Sequence, residues 1–174
     1  MSESWRAAAR FSAVALGLVG LDQISKAAAR VCLLPDRPVA LIPGFFDLRL
    51  DFNSGAAFGI LPNWAPLLII VALAAVFAIV CLNRPNGRGS KVLSTGLALL
   101  MGGAVGNLID RLASWIARSQ SEVTDLLSFH VTVGGRTRAW PTFNLADVGI
   151  VAGAVLVLVY VYVLEKRRPD EAAP

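Results

Sequence analysis

The 174-residue chain contains two cysteines, one histidine and only 16% charged residues, and each shortage narrows what it can be. Two cysteines cannot staple a small secreted scaffold. With His130 as the sole histidine there is no His or Cys pair at metal-ligand spacing, and no Ser or Thr has a histidine partner in view. Soluble domains are roughly 45–50% apolar and 25% charged. Here 56% of residues are hydrophobic and the mean hydropathy is +0.64, which argues for a membrane protein and against a disordered tail or most soluble enzymes. The net charge of +4 and the pI near 9.6 would suggest nucleic acid in a soluble protein. The basic residues instead stand beside apolar runs, where they set orientation, so no nucleic-acid partner is expected.

Four long apolar segments, residues 11–30, 64–82, 92–113 and 144–164, are each long enough for a hydrocarbon core about 30 Å thick. They predict one integral membrane domain over residues 1–174, a mainly α four-helix transmembrane bundle with outer segments 31–63 and 114–143. The first segment has features of a secretory leader: Arg6 and Arg10 precede it and Ala27-Ala28-Ala29 looks like a cleavage site. Against that, Asp22 and Lys26 interrupt it at i,i+4 spacing, where acid and base neutralise each other on one helix face. A disposable leader has no use for such a pair.

Residues 1–10, 83–91 and 165–174 hold eight Lys or Arg in 29 positions, whereas 31–63 and 114–143 hold five in 63. The positive-inside rule then predicts cytoplasmic termini and two long outer links. Trp5, Trp115 and Trp140 lie just beyond a span and Trp64 opens one, as interfacial rings do. Cys32 and Cys81 fall at opposite ends of their spans, too far apart for a disulfide. For His130 the expectation is a loop residue with local hydrogen bonds.

The outer links carry their own pattern. Phe46, Leu48, Leu50 and Phe52 alternate with Asp47, Arg49 and Asp51, and Phe129, Val131 and Val133 precede a Gly134-Gly135 turn before Thr137, Ala139 and Trp140. Alternation of period two predicts strands, hence a small β-sheet on the outer membrane surface.

Polar groups in or beside the spans are the strongest signal, because an intramembrane acid costs a few kcal/mol even on insertion scales. Asn107 and Asp110, and Asn144 and Asp147, share an i,i+3 spacing that predicts amide and carboxylate on one helix face near the outer interface. Some of these groups are expected to hold helices together, and Gly102-Gly103-Ala104-Val105-Gly106 reads as close helix packing, not a phosphate loop. Asp110, Asp125 and Asp147 remain as acids for chemistry. Two carboxylates within roughly 3–5 Å share a proton and can activate water while protonating a leaving group, as in aspartic proteases. A proton-coupled transporter is the alternative, although it would place its acids nearer the bilayer midplane.

The motifs Leu21-Asp22-Gln23-Ile24-Ser25-Lys26, Phe52-Asn53-Ser54-Gly55-Ala56-Ala57-Phe58, Gly102 through Asp110-Arg111, Val123-Thr124-Asp125 and Phe143-Asn144-Leu145-Ala146-Asp147 occur in order across nearly the whole chain. With four spans they resemble lipoprotein signal peptidase (signal peptidase II), the bacterial membrane aspartyl peptidases that cleave signal peptides from diacylglyceryl-modified prolipoproteins. The resemblance implies a catalytic dyad of Asp125 and Asp147, with Asp110 as a supporting group paired with Arg111. It implies that Asn53, Gly55, Asn107, Asn144 and Ala146 orient the dyad or bind substrate, and that Asp22 and Lys26 brace the first helix. Leu126 stands where the family commonly has an aromatic residue. Glu122 is the nearby alternative to Asp125, whose hydrophobic flank better suits a raised carboxyl pKa. The resemblance further implies no cofactor or metal, a monomer in contact with membrane lipids, and residence in the bacterial inner membrane with the active site near its outer face.

Overall fold

The computed structural model describes residues 3–55, 64–82, 90–118, 122–134 and 136–165. Ala56, Ala57 and Phe58 of the second motif, Gly135 of the expected turn, and the basic residues Arg84, Arg88, Lys166, Arg167 and Arg168 lie outside the described residues. The elements follow in the order α1 (Glu3–Cys32), β1 (Val39–Ile42), β2 (Phe46–Asn53), α2 (Ala65–Leu82), α3 (Lys91–Arg118), β3 (Val123–Val133), β4 (Arg136–Ala139) and α4 (Leu145–Val159), the last continuing as a π-helical segment, Tyr160–Glu165.

Helix α3 packs against α1, α2 and α4, and α1 also meets α4. The described parts of α1, α3 and α4 are long and apolar enough to cross a membrane, while α2 is apolar but shorter. Helices α1 and α3 outrun the apolar segments 11–30 and 92–113, because the backbone hydrogen-bond ladder continues through polar residues that hydropathy excludes. Conversely, Asn144 stands just before α4, not within it.

Polarity is inverted relative to a soluble bundle. On α1, Leu21 is 62% and Ile24 69% exposed, whereas Asp22 and Lys26 are fully buried. Such an arrangement suits a lipid surround, where ionisable groups belong in the bundle interior. The glycine run lets the backbones come close enough for it. A Cβ at Gly103 would collide with the Ala146 carbonyl oxygen, and one at Gly106 would sit 2.7 Å from Asp22 Oδ2. Glycine here acts by close packing, as the run itself suggests.

The four strands form one antiparallel sheet in the order β1-β2-β3-β4. Both expected strand regions are present, and β1 is an addition that four residues of pattern could not announce. His130 lies in β3, not in a loop, with Nε2 2.7 Å from Asp47 Oδ2 on β2. A bulge interrupts the β2–β3 register: Leu48 pairs with Leu127 and Asp51 with Asp125, so Arg49 and Leu50 together face Leu126. Leu50 and Leu126 turn into a small core with Ala29 and Leu33 of the α1 end, which seats the sheet on that helix.

Candidate active site

Three short segments converge where α3 and α4 meet the sheet. Asp125 reaches this point on β3 and Asn53 at the end of β2. Asn144 is carried there by Phe143, whose backbone N–H donates to the Leu127 carbonyl and whose carbonyl accepts from Leu126 and Leu127. Phe129 stacks on Phe143 with ring centroids 5.8 Å apart and fixes the same corner.

The Asn144 side chain links the two acids. It caps α4 with extended backbone, the side-chain oxygen accepting from Asp147 N–H at 3.0 Å while the Asn144 backbone N–H donates to Asp147 Oδ2 at 3.1 Å. Its amide nitrogen donates to Asp125 Oδ1 at 2.7 Å. The i,i+3 spacing of Asn144 and Asp147 is thus a capping box, and the expectation of one shared helix face holds only for Asn107 and Asp110.

Each remaining oxygen of the two carboxylates has a donor. Asn53 Nδ2 donates to Asp125 Oδ2 at 3.2 Å, and Asn107 Nδ2 to Asp147 Oδ1 at 2.8 Å. Both amides are held at their other end, Asn53 Oδ1 by Gly55 N–H at 2.9 Å and Asn107 Oδ1 by Lys26 Nζ at 2.9 Å. Asp125 is 1% exposed. Burial, and next the nearby charge of Asp147, push its carboxyl from 3.8 up to about 7, against the opposing hydrogen bonds from Asn144 and Asn53 and the more distant Lys26. A carboxyl so placed holds or releases a proton near neutral pH.

Asp110 belongs to a neighbouring cluster. Its described ion-pair partners are Arg30 at 2.9 Å and Lys26 at 3.4 Å, and its Oδ2 accepts from Thr124 N–H at 2.9 Å. These contacts add Arg30, Lys26 and Thr124 to the Arg111 pairing expected for Asp110. Arg111 donates to the Gly55 carbonyl at 2.6 Å and holds the chain just after β2. Asp22 pairs with Lys26 at 2.8 Å and accepts from Ala146 N–H at 3.0 Å. The α1 pair thus joins α1 to α3 and α4, more than bracing one helix. Glu122 is tied through its backbone to Ser114 at the end of α3.

Sequence reasoning missed Arg30, Gln23 and Thr124. Arg30 donates to Asp110 and Thr124, and Gln23 to the Gly106 carbonyl at 3.1 Å. Arg30 had a signal: it follows Asp22 and Lys26 at one further i,i+4 step.

Asp125, Asp147, Asn53, Asn107 and Arg111 line one end of a cleft of about 720 Å3. Its other walls are mainly apolar, including Leu68, Val71, Ala72 and Ala75 of α2 and Val148 and Val151 of α4. Two carboxylates held by separate donors of one residue, the Asn144 side-chain amide for Asp125 and its backbone N–H for Asp147, beside a mainly apolar cleft, form an arrangement suited to acid–base activation of water.

The family described as Signal peptidase (SPase) II matches residues 14–163. A lipoprotein signal peptidase of Oleidesulfovibrio alaskensis is 40% identical over 156 residues, covering 86% of this chain and 92% of that protein. Those of Symbiobacterium thermophilum and Halothermothrix orenii are 35% and 36% identical, each covering 88% of this chain and 95% of the relative. A solved bacterial membrane enzyme, determined by the in meso method at 2.3 Å resolution, superposes with a TM-score of 0.79 at 23% identity over 95% of this chain and 94% of its own, and so shares the fold. These matches leave the transporter alternative without support, and the chain belongs to the signal peptidase II family of membrane peptidases.

Proposed function

We propose that this protein is an aspartyl endopeptidase of the bacterial inner membrane that removes signal peptides from diacylglyceryl-modified prolipoproteins, cleaving before the lipid-modified cysteine. The substrate class follows from the lipoprotein signal peptidases to which the chain is similar. The observation that carries the catalytic type is the Asn144 bridge between Asp125 and Asp147, with Asp125 poised to hold a proton near neutral pH.

In this reading α2 completes a four-helix transmembrane bundle, and both termini face the cytoplasm. The sheet lies on the outer surface, the chain is a single domain, and it works as a monomer among lipids. The apolar cleft takes the signal segment and acyl chains from the bilayer, and the extended peptide rests along the sheet, where strand pairing can hold its backbone. Asp125 carries the shared proton and hydrogen-bonds the scissile carbonyl. Asp147 accepts a proton from water as the water oxygen bonds to the carbonyl carbon, giving a tetrahedral intermediate whose oxygen takes the proton from Asp125. Collapse breaks the C–N bond, the amine leaves with the proton from Asp147, and the intermediate's hydroxyl proton returns to the dyad. Asn53, Asn107 and Asn144 orient the carboxylates, Arg111 and Gly55 hold the adjoining chain, and Ala146, Asp22, Lys26 and Asp110 support the frame.

The test is cleavage of a diacylglyceryl-modified precursor by Asp125→Asn and Asp147→Asn enzymes, made separately. Each is expected to lose about 10³-fold or more of the rate, while Glu122→Gln stays active. Full activity of either Asn variant overturns the dyad, and loss in Glu122→Gln with an active Asp125→Asn moves it to Glu122.

A further inference from the structure

A second cavity, about 470 Å3, opens beside β2 and β3 and includes Arg49, Asp51, Ser128 and Thr142 in its lining. Asn53, Trp140, Pro141 and Thr142 line it and the apolar cleft alike. The two spaces therefore meet at the wall that holds Asp125, since Asn53 donates to that carboxylate. We propose that this cavity is a subsite for the residues that follow the modified cysteine, and that Arg49 gives it a preference for an acidic side chain; the inference rests on the peptidase reading above.

Continuity supports the placement. A peptide drawn across the carboxylate pair leaves an apolar cleft on one side and enters a space with charged and hydroxyl side chains on the other. That change of lining matches a substrate whose signal segment is apolar and whose remainder is released into water.

Arg49 supports the preference. At the β2 bulge Leu50 takes the core position, and Arg49 lines the cavity. Its Nε is buried and has no hydrogen-bond partner among the described residues. The nearby acids are already engaged: Asp51 accepts from the Thr142 hydroxyl at 2.8 Å and from Phe52 N–H at 3.0 Å, and Asp47 lies 2.7 Å from His130 Nε2. A guanidinium fork matches a carboxylate, so an incoming Asp or Glu pairs with the Arg49 guanidinium and an incoming Lys brings like charge. A lipid phosphate offers similar oxygens, but the direct passage from the carboxylate pair favours the peptide.

The experiment uses the purified full-length enzyme in mixed micelles with synthetic peptides that carry a diacylglyceryl-cysteine followed, at the first or second position, by Asp, Asn or Lys. The quantity read is the ratio of kcat/KM for Asp over Lys peptides within each enzyme, which cancels any loss of folded protein. Wild type is expected to favour Asp by about tenfold, a ratio that falls toward one in Arg49→Gln, reverses in Arg49→Glu and persists in Arg49→Lys. A ratio near one in wild type, or an unchanged ratio in Arg49→Gln and Arg49→Glu, overturns the subsite. So does an Arg49-dependent response to anionic lipid in the micelle with no response to peptide charge, which assigns the cavity to a headgroup. If wild type cleaves none of the peptides, including the Asn peptide, the peptidase reading itself fails and takes the subsite with it.

Discussion

The side-chain amide of Asn144 starts a helix through its oxygen and holds the Asp125 carboxylate through its nitrogen, so its replacement separates two properties. Asn144→Asp keeps an acceptor for Asp147 N–H and should preserve the cap, but it removes the donor to Asp125 Oδ1. Loss of cleavage with near-native helicity is the expected result, read by peptide assay and far-UV circular dichroism. Protonation is the other property set at this scale. Under the proposed mechanism Asp125 must carry the proton, so kcat should fall as pH rises through about 7. Asn53 donates to the ionised carboxylate and so lowers its pKa; Asn53→Ala should move that falling limb to higher pH in a kcat profile. The same shift acts on stability. Above the ordinary value of 3.8 the unfolded carboxyl gives up its proton while the folded one keeps it until about 7, so this group's stabilising contribution is lost as pH rises across that window. That Asn107, Asn144 and Asp147 belong to one polar cluster was legible because amides and acids beside apolar spans are costly. Their partners were not, because the bond from Asn144 to Asp125 depends on how Phe143 docks on Leu127, a contact between segments that no spacing encodes.

At the level of elements, α1 contributes a polar face of Asp22, Lys26 and Arg30 to a junction with α3. Lys26→Met leaves fully buried Asp22 without its cation and the Asn107 amide without its donor. Breaking a buried pair from one side costs about 3–5 kcal/mol, and thermal unfolding in detergent should show it. The double variant Asp22→Asn/Lys26→Met should recover part of the loss, which a purely steric effect of the methionine would not allow. Helix existence was plain from the apolar runs, and the β2 and β3 alternation was plain from period two. Their exact ends were not, since Ser114 lies beyond an apolar segment yet stays in α3 and binds the start of β3 through Glu122. The β2 bulge was equally hidden, because the apolar–polar alternation of Leu48, Arg49, Leu50 and Asp51 runs on through it without a break.

For the molecule as a whole, the apolar cleft between α2 and α4 sets what can approach the acids. Filling it should act on binding before chemistry. Ala72→Trp, on the cleft wall of α2, is expected to raise KM for a diacylated peptide by about tenfold or more, in line with the cost of overpacking a fitted space. Unchanged KM would mean that the lipidated segment binds elsewhere. The membrane class could be read from composition, whereas the meeting of β2, β3 and the α4 cap at one corner needed the fold, because residues 53, 125 and 144 come from three different parts of the chain. The ion cluster around Asp110 also bears on biogenesis. Asp22, Lys26 and Arg30 give that face of α1 one excess positive charge, and Asp110 on α3 is the acid that both bases reach. Within a bilayer that α1 face lacks the acid until α3 has been inserted. In the proposed membrane topology α1 is therefore made first with a charge left over, and its polar face gains Asp110 only when α3 follows two helices later.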